Sequence, residues 1–423
     1  MSIKLHVTKP SVIFTPTAAV ALGIAIATHS IGANAFPTVF GKINASLNNY
    51  SFEKNNFAES KDSAGAVIKD AAGNTVYTVK GGTTTDSLDN WALESNSSRI
   101  GVSGDLSISE GLKAIYRLEY GTKVDNGSNN GQVFSQRNIW GGLEGDFGRV
   151  IAGKNDTPLK LIQTNSVLKT DIDRFNDLPL ADIGTYLAGE NRADNIVQYS
   201  SPILLEGLEL SLAAVQGEET GIADPKATAP AQNDNGIGSG YSVSAIYGKA
   251  NWYLGAALDN NVATSDTARL LGEVKFGPLT LGAIYQDAQR HEDVDVLGGY
   301  SSFVGASVSA KGVASSANPL LDWDGSTKTT PQYQKQTGYV LNGTWDFPGP
   351  WQLKAQYGSS TSTPIAAYSD VELASASLGV DYKFNESTRL YAYTSRLTAS
   401  GDDKINTATN TNQTFATGID IKF

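Results

Sequence analysis

Apolar and polar residues alternate one for one along much of this chain, a period that fits a strand with two unlike faces and does not fit a helix. The end of the chain shows it best. Phe415, Thr417, Ile419, Ile421 and Phe423 share one face, and Ala416, Gly418, Asp420 and Lys422 share the other. Ala374, Ala376, Leu378, Val380, Tyr382 and Phe384 oppose Ser375, Ser377, Gly379, Asp381 and Lys383. Val39, Gly41, Ile43, Ala45 and Leu47 oppose Phe40, Lys42, Asn44 and Ser46. Ile100, Val102, Leu106 and Ile108 oppose Arg99, Ser103, Asp105 and Ser107. At helical spacing each run would put charge on every face.

A soluble sandwich also alternates, so the connections must separate the cases. Short turns at 109–111, 146–148, 201–207, 248–250, 277–278, 347–350 and 385–387 take turns with long polar stretches. The long stretches are 50–97, 121–134, 155–193, 217–240, 259–267, 287–336, 358–373 and 397–411. Seven tight turns and eight loops join sixteen strands. That asymmetry predicts an all-β, 16-stranded antiparallel transmembrane β-barrel, with short turns on the side of both termini. Aromatics stand beside the turns (Phe276, Phe347, Trp351, Phe384, Phe423) and near the opposite strand ends (Tyr120, Tyr285, Tyr357), where two interfacial girdles would lie. Closure follows from physics. In hydrocarbon every backbone N–H and C=O needs an internal partner, and a closed sheet leaves no edge.

Composition agrees with this. Among 423 residues there are 18 Tyr, 14 Phe and 43 Gly, but one Met and no Cys, so disulfides and thiolate metal sites are excluded. Residues 1–35 read as a leader: Lys4 and Lys9, an apolar stretch from Ala18 to Ala27, then Ala33-Asn34-Ala35. That stretch is shorter than the roughly 20 residues a spanning helix needs. The barrel then occupies 36–423. The whole chain carries −11; losing Lys4 and Lys9 lowers this by two, to −13, and leaves His291 as the one histidine. An acidic chain argues against a nucleic-acid partner.

Three stretches carry a resemblance: Val39-Phe40-Gly41-Lys42, Ser98-Arg99-Ile100-Gly101-Val102-Ser103-Gly104-Asp105, and Gly141-Gly142-Leu143-Glu144-Gly145-Asp146-Phe147-Gly148. With the terminal Phe423, in this order and spacing, the chain resembles the general diffusion porin family of Gram-negative bacteria over nearly all of 36–423. The resemblance implies a homotrimer in the outer membrane, in contact with lipid and lipopolysaccharide. It also implies a third loop folded into the lumen and an eyelet with a basic wall facing acids on that loop. Carried over by position, the basic wall is Lys42, Arg99, Arg137 and Arg192. The acids are Asp171, Asp173 and Asp177, with Asp182 beside them. Arg117 and Glu119, in phase with Lys113, are further wall candidates. Alternation puts Lys42 and Arg99 on the polar face and groups Arg192 with Asp194 and Gln198; it puts Arg137 inward only if Trp140 faces lipid. Leucines and isoleucines in 155–193, among them Leu159, Leu161, Ile162, Leu168 and Leu180, suit a loop packed on a wall rather than a solvated one. Small outward residues near the chain ends (Gly41, Ala45, Thr417) suit flat barrel-to-barrel contact, with 121–134 reaching over the neighbour.

The implied function is passive diffusion of small hydrophilic solutes and ions, with no enzyme chemistry, cofactor or metal. Opposed charges across a narrow wet aperture set ion preference, and the acidic chain predicts a mild cation preference that strengthens as salt is lowered. One rival is a substrate-specific porin for a sugar or an organic acid. An outer-membrane hydrolase needs a nucleophile beside a base, and the single His291 in the sixth loop argues against it. A β-solenoid adhesin would need a fixed repeat, which is absent. The run 231–240 lacks the strand–loop–helix context of a phosphate loop. Asp402-Asp403 reads as solvated loop rather than a divalent-cation site.

Overall fold

The computed structural model describes residues 37–59, 65–66, 77–127, 132–165, 170–216, 239–263, 265–291, 333–364, 370–401 and 409–423. Residues 1–35, which the sequence reads as a leader, together with Leu168, Asp402-Asp403, nearly all of 231–240 and most of the sixth loop, lie outside them.

Sixteen antiparallel strands form one closed sheet. They are β1 Thr38–Glu59, β2 in two segments (β2a Tyr77–Ser95 and β2b Arg99–Ser109), β3 Leu112–Gly121, β4 Ser135–Gly145, β5 Gly148–Asp156, β6 Arg192–Ser200, β7 Leu208–Val215 and β8 Gly240–Lys249. The series continues with β9 Trp252–Val262, β10 Ser265–Phe276, β11 Leu279–Arg290, β12 Tyr333–Asp346, β13 Trp351–Pro364, β14 Val371–Lys383, β15 Thr388–Gly401 and β16 Thr409–Lys422. Each strand pairs with the next, and β1 closes the ring on β16 from Lys42↔Lys422 to Glu53↔Thr411. The break in β2 is local. Ser97 takes a left-handed φ of 51°, while Asn44 of β1 bonds Asn96 and Ser98 on either side.

The seven short turns stand where the alternation puts them. Two of the long stretches are largely paired strand: in 50–97 β1 and β2a run against each other out to Glu59↔Tyr77, and in 259–267 β9 and β10 pair up to Val262↔Ser265, so the latter is a tight hairpin. Sequence shows 259–267 as a loop because Asp259, Asn260, Asn261 and Asp266 are turn formers, yet their side chains serve the hairpin: Asp266 accepts from Asn260 Nδ2 and Asn261 N.

Burial is inverted relative to a soluble sheet. On β10, Leu270 is 58% exposed while its neighbour Arg269 is 2% exposed. Leu258 and Leu341 likewise face out, and Lys354 and Asp381 are buried. In water such an outer face would be costly; in lipid it is the favourable one. The aromatics Phe276, Phe347, Trp351, Phe384 and Phe423 are exposed beside the short turns, with Tyr285 and Tyr357 exposed toward the other end. Trp351, Tyr382 and Phe384 stack edge to face.

The terminal aromatic completes the closure. Gly41 N donates to Phe423 O and Phe423 N to Gly41 O. A Cβ on Gly41 would stand 2.4 Å from the Phe423 ring and 2.9 Å from the Arg99 carbonyl oxygen. Gly41→Val is therefore expected to destabilise the closed barrel by about 1–3 kcal/mol, the range for overpacking. A lower temperature for loss of the compact form on gels in dodecyl sulfate is the measurement.

Candidate functional site

The third loop, between β5 and β6, lies against the polar face of the strands, which in a closed barrel is the lumen face. Local chemistry starts its descent: Thr157 caps a single helical turn, α1 (Pro158–Leu161), accepting from Lys160 N, and Pro158 occupies the first turn where no N–H is needed. From there the loop packs along β8 to β16. Leu159, Ile162, Ile172, Ile183, Tyr186 and Leu187 form a core with Tyr253, Leu271, Ile284, Val340 and Leu373 of the wall. Phe175, Leu178 and Ala181 join Tyr391, Tyr393 and Ala416. Leu180 packs with Tyr50 and Leu397.

Inward polar side chains satisfy the loop's backbone, as a buried loop requires. Gln336 accepts from Ala188 N at 2.7 Å, and Gln286 and Arg269 donate to Ala188 O. Gln356 donates to Ala181 O, and Ser375 and Ser395 donate to Leu180 O. Arg174 pairs with Glu273 and donates to Asn342. At the tip, Asp177 and Leu180 hold left-handed φ angles of 67° and 60°. A leucine there is strained, and its carbonyl bonds and buried side chain hold it.

The four aspartates of this loop divide. Asp177 Oδ2 lies 2.9 Å from Lys42 Nζ and 3.8 Å from Arg99 Nη1. The other three accept mainly from the loop itself, with Gln356 of β13 joining at Asp173. Asp173 takes Phe175 N, Ile183 N and Gln356 Nε2; Asp182 takes Asp177 N and Gly184 N; Asp171 takes Asp173 N and Asn176 Nδ2. Burial would raise the Asp177 carboxyl, but Lys42 and Arg99 outweigh it and hold it at about 2. Burial and the neighbouring Asp177 charge push Asp182 up to about 7. Burial pushes Asp171 up to about 6, against the hydrogen bonds it accepts. Asp173 is raised by burial and by Asp182 and Asp171.

Each of the four basic residues expected on the wall meets an acid. Lys42 and Arg99 meet Asp177, Arg137 donates to Glu119 Oε1 at 2.8 Å, and Arg192 reaches Asp156 at 3.1 Å. Arg117 also pairs with Glu119, which lies between two guanidiniums. Lys113 stands apart, paired with Asp105 in an exposed position. Arg137 and Trp140 share the inner face, contrary to simple alternation. The β3–β4 register shifts between Leu118↔Ile139 and Tyr120↔Gln136, and this bulge turns Arg137 and Asn138 both inward. Trp140, opposite Arg117, stays on that face. A shift at Gly153/Asn155 likewise parts Asp194 from Arg192: Asp194 pairs with Lys154.

A second charged network lies under the loop on the far wall. Lys354 Nζ is 3.1 Å from Asp381, Arg389 bridges Asp381 and Asp420, and Lys354 also sits 4.7 Å from the Phe175 ring centroid. The signal was available in the sequence: each stands at a polar position of an alternating strand.

The family model for Gram-negative porin matches residues 17–402. Major outer membrane protein P.IB of Neisseria gonorrhoeae is 25% identical over 233 residues, 55% of this chain and 54% of that protein. The chain thus spans about half the length of that curated relative. Among solved structures, the anion-selective porin from Comamonas acidovorans superposes with a TM-score of 0.56 at 18% identity, covering 92% of this chain and all of that one. The trimer form of OmpT of Vibrio cholerae gives 0.50 at 14%, covering 91% and 99%. The structural likenesses are of fold; the sequence match covers most of the chain, and by it the chain belongs to the Gram-negative porin family.

Proposed function

We propose that this chain forms a water-filled channel for passive diffusion of small hydrophilic solutes and ions, with its constriction between the third loop and the β1–β6 wall. The observation that carries the reading is the ion pairing of Asp177, on the loop, with Lys42 and Arg99 on the wall. Arg117, Arg137 and Arg192 extend the wall, with Glu119 and Asp156 between them. Such an arrangement sets a transverse field where low-dielectric walls focus it. The protein is an outer-membrane, multi-pass barrel. We read it as a homotrimer, on the support of the trimeric neighbour and the small outward residues Ala45 and Thr417, while Gly41 lies beneath the Phe423 ring. Residues 1–35 are read as its leader, and lipid and lipopolysaccharide as its surroundings. The channel reading calls for no nucleophile or cofactor.

Purified protein in planar bilayers should give stepwise conductance in potassium chloride. Absence of steps from folded trimer would overturn the channel reading.

Acid should change its selectivity without freeing the loop. Asp171 and Asp182 have raised native values, so their protonated forms favour the folded loop and its docking weakens as pH rises through about 6 to 7. Asp177 has a depressed value, so its contribution persists until pH falls toward about 2. Between pH 8 and pH 5 the loop should lose negative charge yet stay docked. Reversal potentials in a salt gradient should then move away from cation preference, and the double variant D171N/D182N should lack the step.

A further inference from the structure

On the inner wall the cations named above each meet a carboxylate. Arg149 on β5 and Glu209 on β7 depart from that pattern. Among the described residues neither is in an ion pair, and both line one cavity of about 170 Å3. The cavity lies between the underside of the loop's first limb, at Leu161, Ile162 and Thr164, and the inner face of β5 to β8. This volume is below the roughly 300–1,000 Å3 of drug-sized pockets, so it selects a small solute.

The sheet register fixes what the cavity offers. Arg149, Ser200, Ser211 and Ser244 stand directly opposite one another across four strands and so point the same way. Glu209 lies two residues from Ser211 on the same face, beside Ile246. Between Arg149 and Glu209 lie two strand spacings of about 4.8 Å and a two-residue offset of about 3.4 Å per residue. That separation keeps them from neutralising each other. The Arg149 guanidinium is placed by Trp140, whose ring centroid is 5.9 Å away. Glu144, its cross-strand neighbour, makes no ion pair with it among the described residues. Leu161, Ile162 and Ile246 supply apolar surface between the charges.

We propose that this cavity is a binding subsite for a short zwitterion of the dipeptide class. Its carboxylate meets Arg149, its ammonium meets Glu209, its amide meets the serine hydroxyls, and small apolar side chains rest on Leu161, Ile162 and Ile246. A guanidinium and a carboxylate held apart over hydroxyls match separated opposite charges, whereas a singly charged organic acid leaves Glu209 unpaired, and an unpaired charge is costly when desolvated. The proposal rests on the inner face being a wet lumen.

Equilibrium binding of radiolabelled alanyl-alanine to the detergent-solubilised protein tests it apart from transport, with N-acetyl-alanyl-alanine and alanyl-alanine amide as probes that each lack one charge. Saturable binding of alanyl-alanine is expected, weakened about tenfold by Glu209→Gln and by Arg149→Gln, the loss of one charge-assisted bond each. Glu209→Gln should leave the already weak acetylated probe unchanged, and Arg149→Gln should leave the amide probe unchanged. No saturable binding to wild-type protein, or wild-type affinity retained in either variant, would overturn the subsite. Stepwise conductance measured on the same preparation reports on the channel reading separately, since a barrel that conducts without binding loses the subsite alone, and one that binds without conducting loses the channel.

Discussion

Gly358→Val is expected to drive the third loop off the inner wall while leaving the barrel intact. Gly358 faces inward on β13, and a Cβ there would stand 2.1 Å from Cε2 of Tyr186 and 2.4 Å from its Cζ. Neither side has room to yield. Tyr186 is 0% exposed, and its neighbours Ile183 and Leu187 are equally buried. Valine itself suits a strand, so the clash falls on the loop. Expelling a ring that buries about 150–250 Å2 forfeits roughly 4–6 kcal/mol at about 25 cal/mol per Å2. The loop's hydrogen bonds to Gln336 and Gln356 go with it. Single-channel conductance should rise well above wild type and become noisier, while circular dichroism and migration on gels in dodecyl sulfate stay the same. The double variant G358V/Y186A should recover part of the wild-type conductance, because the smaller side chain accepts the valine. If G358V conducts as wild type does, the loop is not what narrows the pore.

The alternation made much of this wall legible. In β14 the positions Ser375, Ser377 and Asp381 are all buried inward, and Ala376 and Leu378 face out. What the pattern did not hold was anything that depends on a partner far along the chain. Lys42 and Asp177 are separated by 135 positions, and nothing local distinguishes Asp177 from Asp171 or Asp173. The distinction arises from the loop's own fold, in which the backbone N–H groups of Phe175 and Ile183 claim Asp173 and those of Asp177 and Gly184 claim Asp182. Bulges hid more. A one-residue shift inverts every following side chain, and such shifts are what brought Arg137 inward beside Trp140 and sent Asp194 to Lys154. The inward charges Arg269, Glu273 and Lys354 were visible as polar positions, but their task of holding the loop was not, because the sequence does not say which wall the loop lies on.

Removing the basic partners of Asp177 should produce the largest change in ion selectivity. The Lys42 and Asp177 side chains are 8% and 16% exposed, so salt screens their interaction far less than it screens the rim, where the Debye length is about 8 Å at physiological strength. Lys42→Gln with Arg99→Gln leaves Asp177 facing the aperture without a counter-charge. Breaking a buried pair from one side costs roughly 3–5 kcal/mol, which the loop relieves by lifting Asp177 away from β1 and opening the aperture. Both the freed carboxylate and the lost cations move the reversal potential toward cations, and the shift should persist at high salt. Asp177→Asn does the opposite: Lys42 and Arg99 lose their counter-charge and the potential moves toward anions. Asp171→Asn with Asp173→Asn is the informative contrast. Asp171 and Asp173 accept from the loop's own backbone, so this pair should move the potential away from cations less than Asp177→Asn does, and disturb loop order and current noise more. Should Asp177→Asn leave the reversal potential where it is while D171N/D173N moves it, the field in the constriction is set by the loop's interior carboxylates rather than by its contact with β1 and β2b, and the placement of the eyelet between Asp177 and that wall falls.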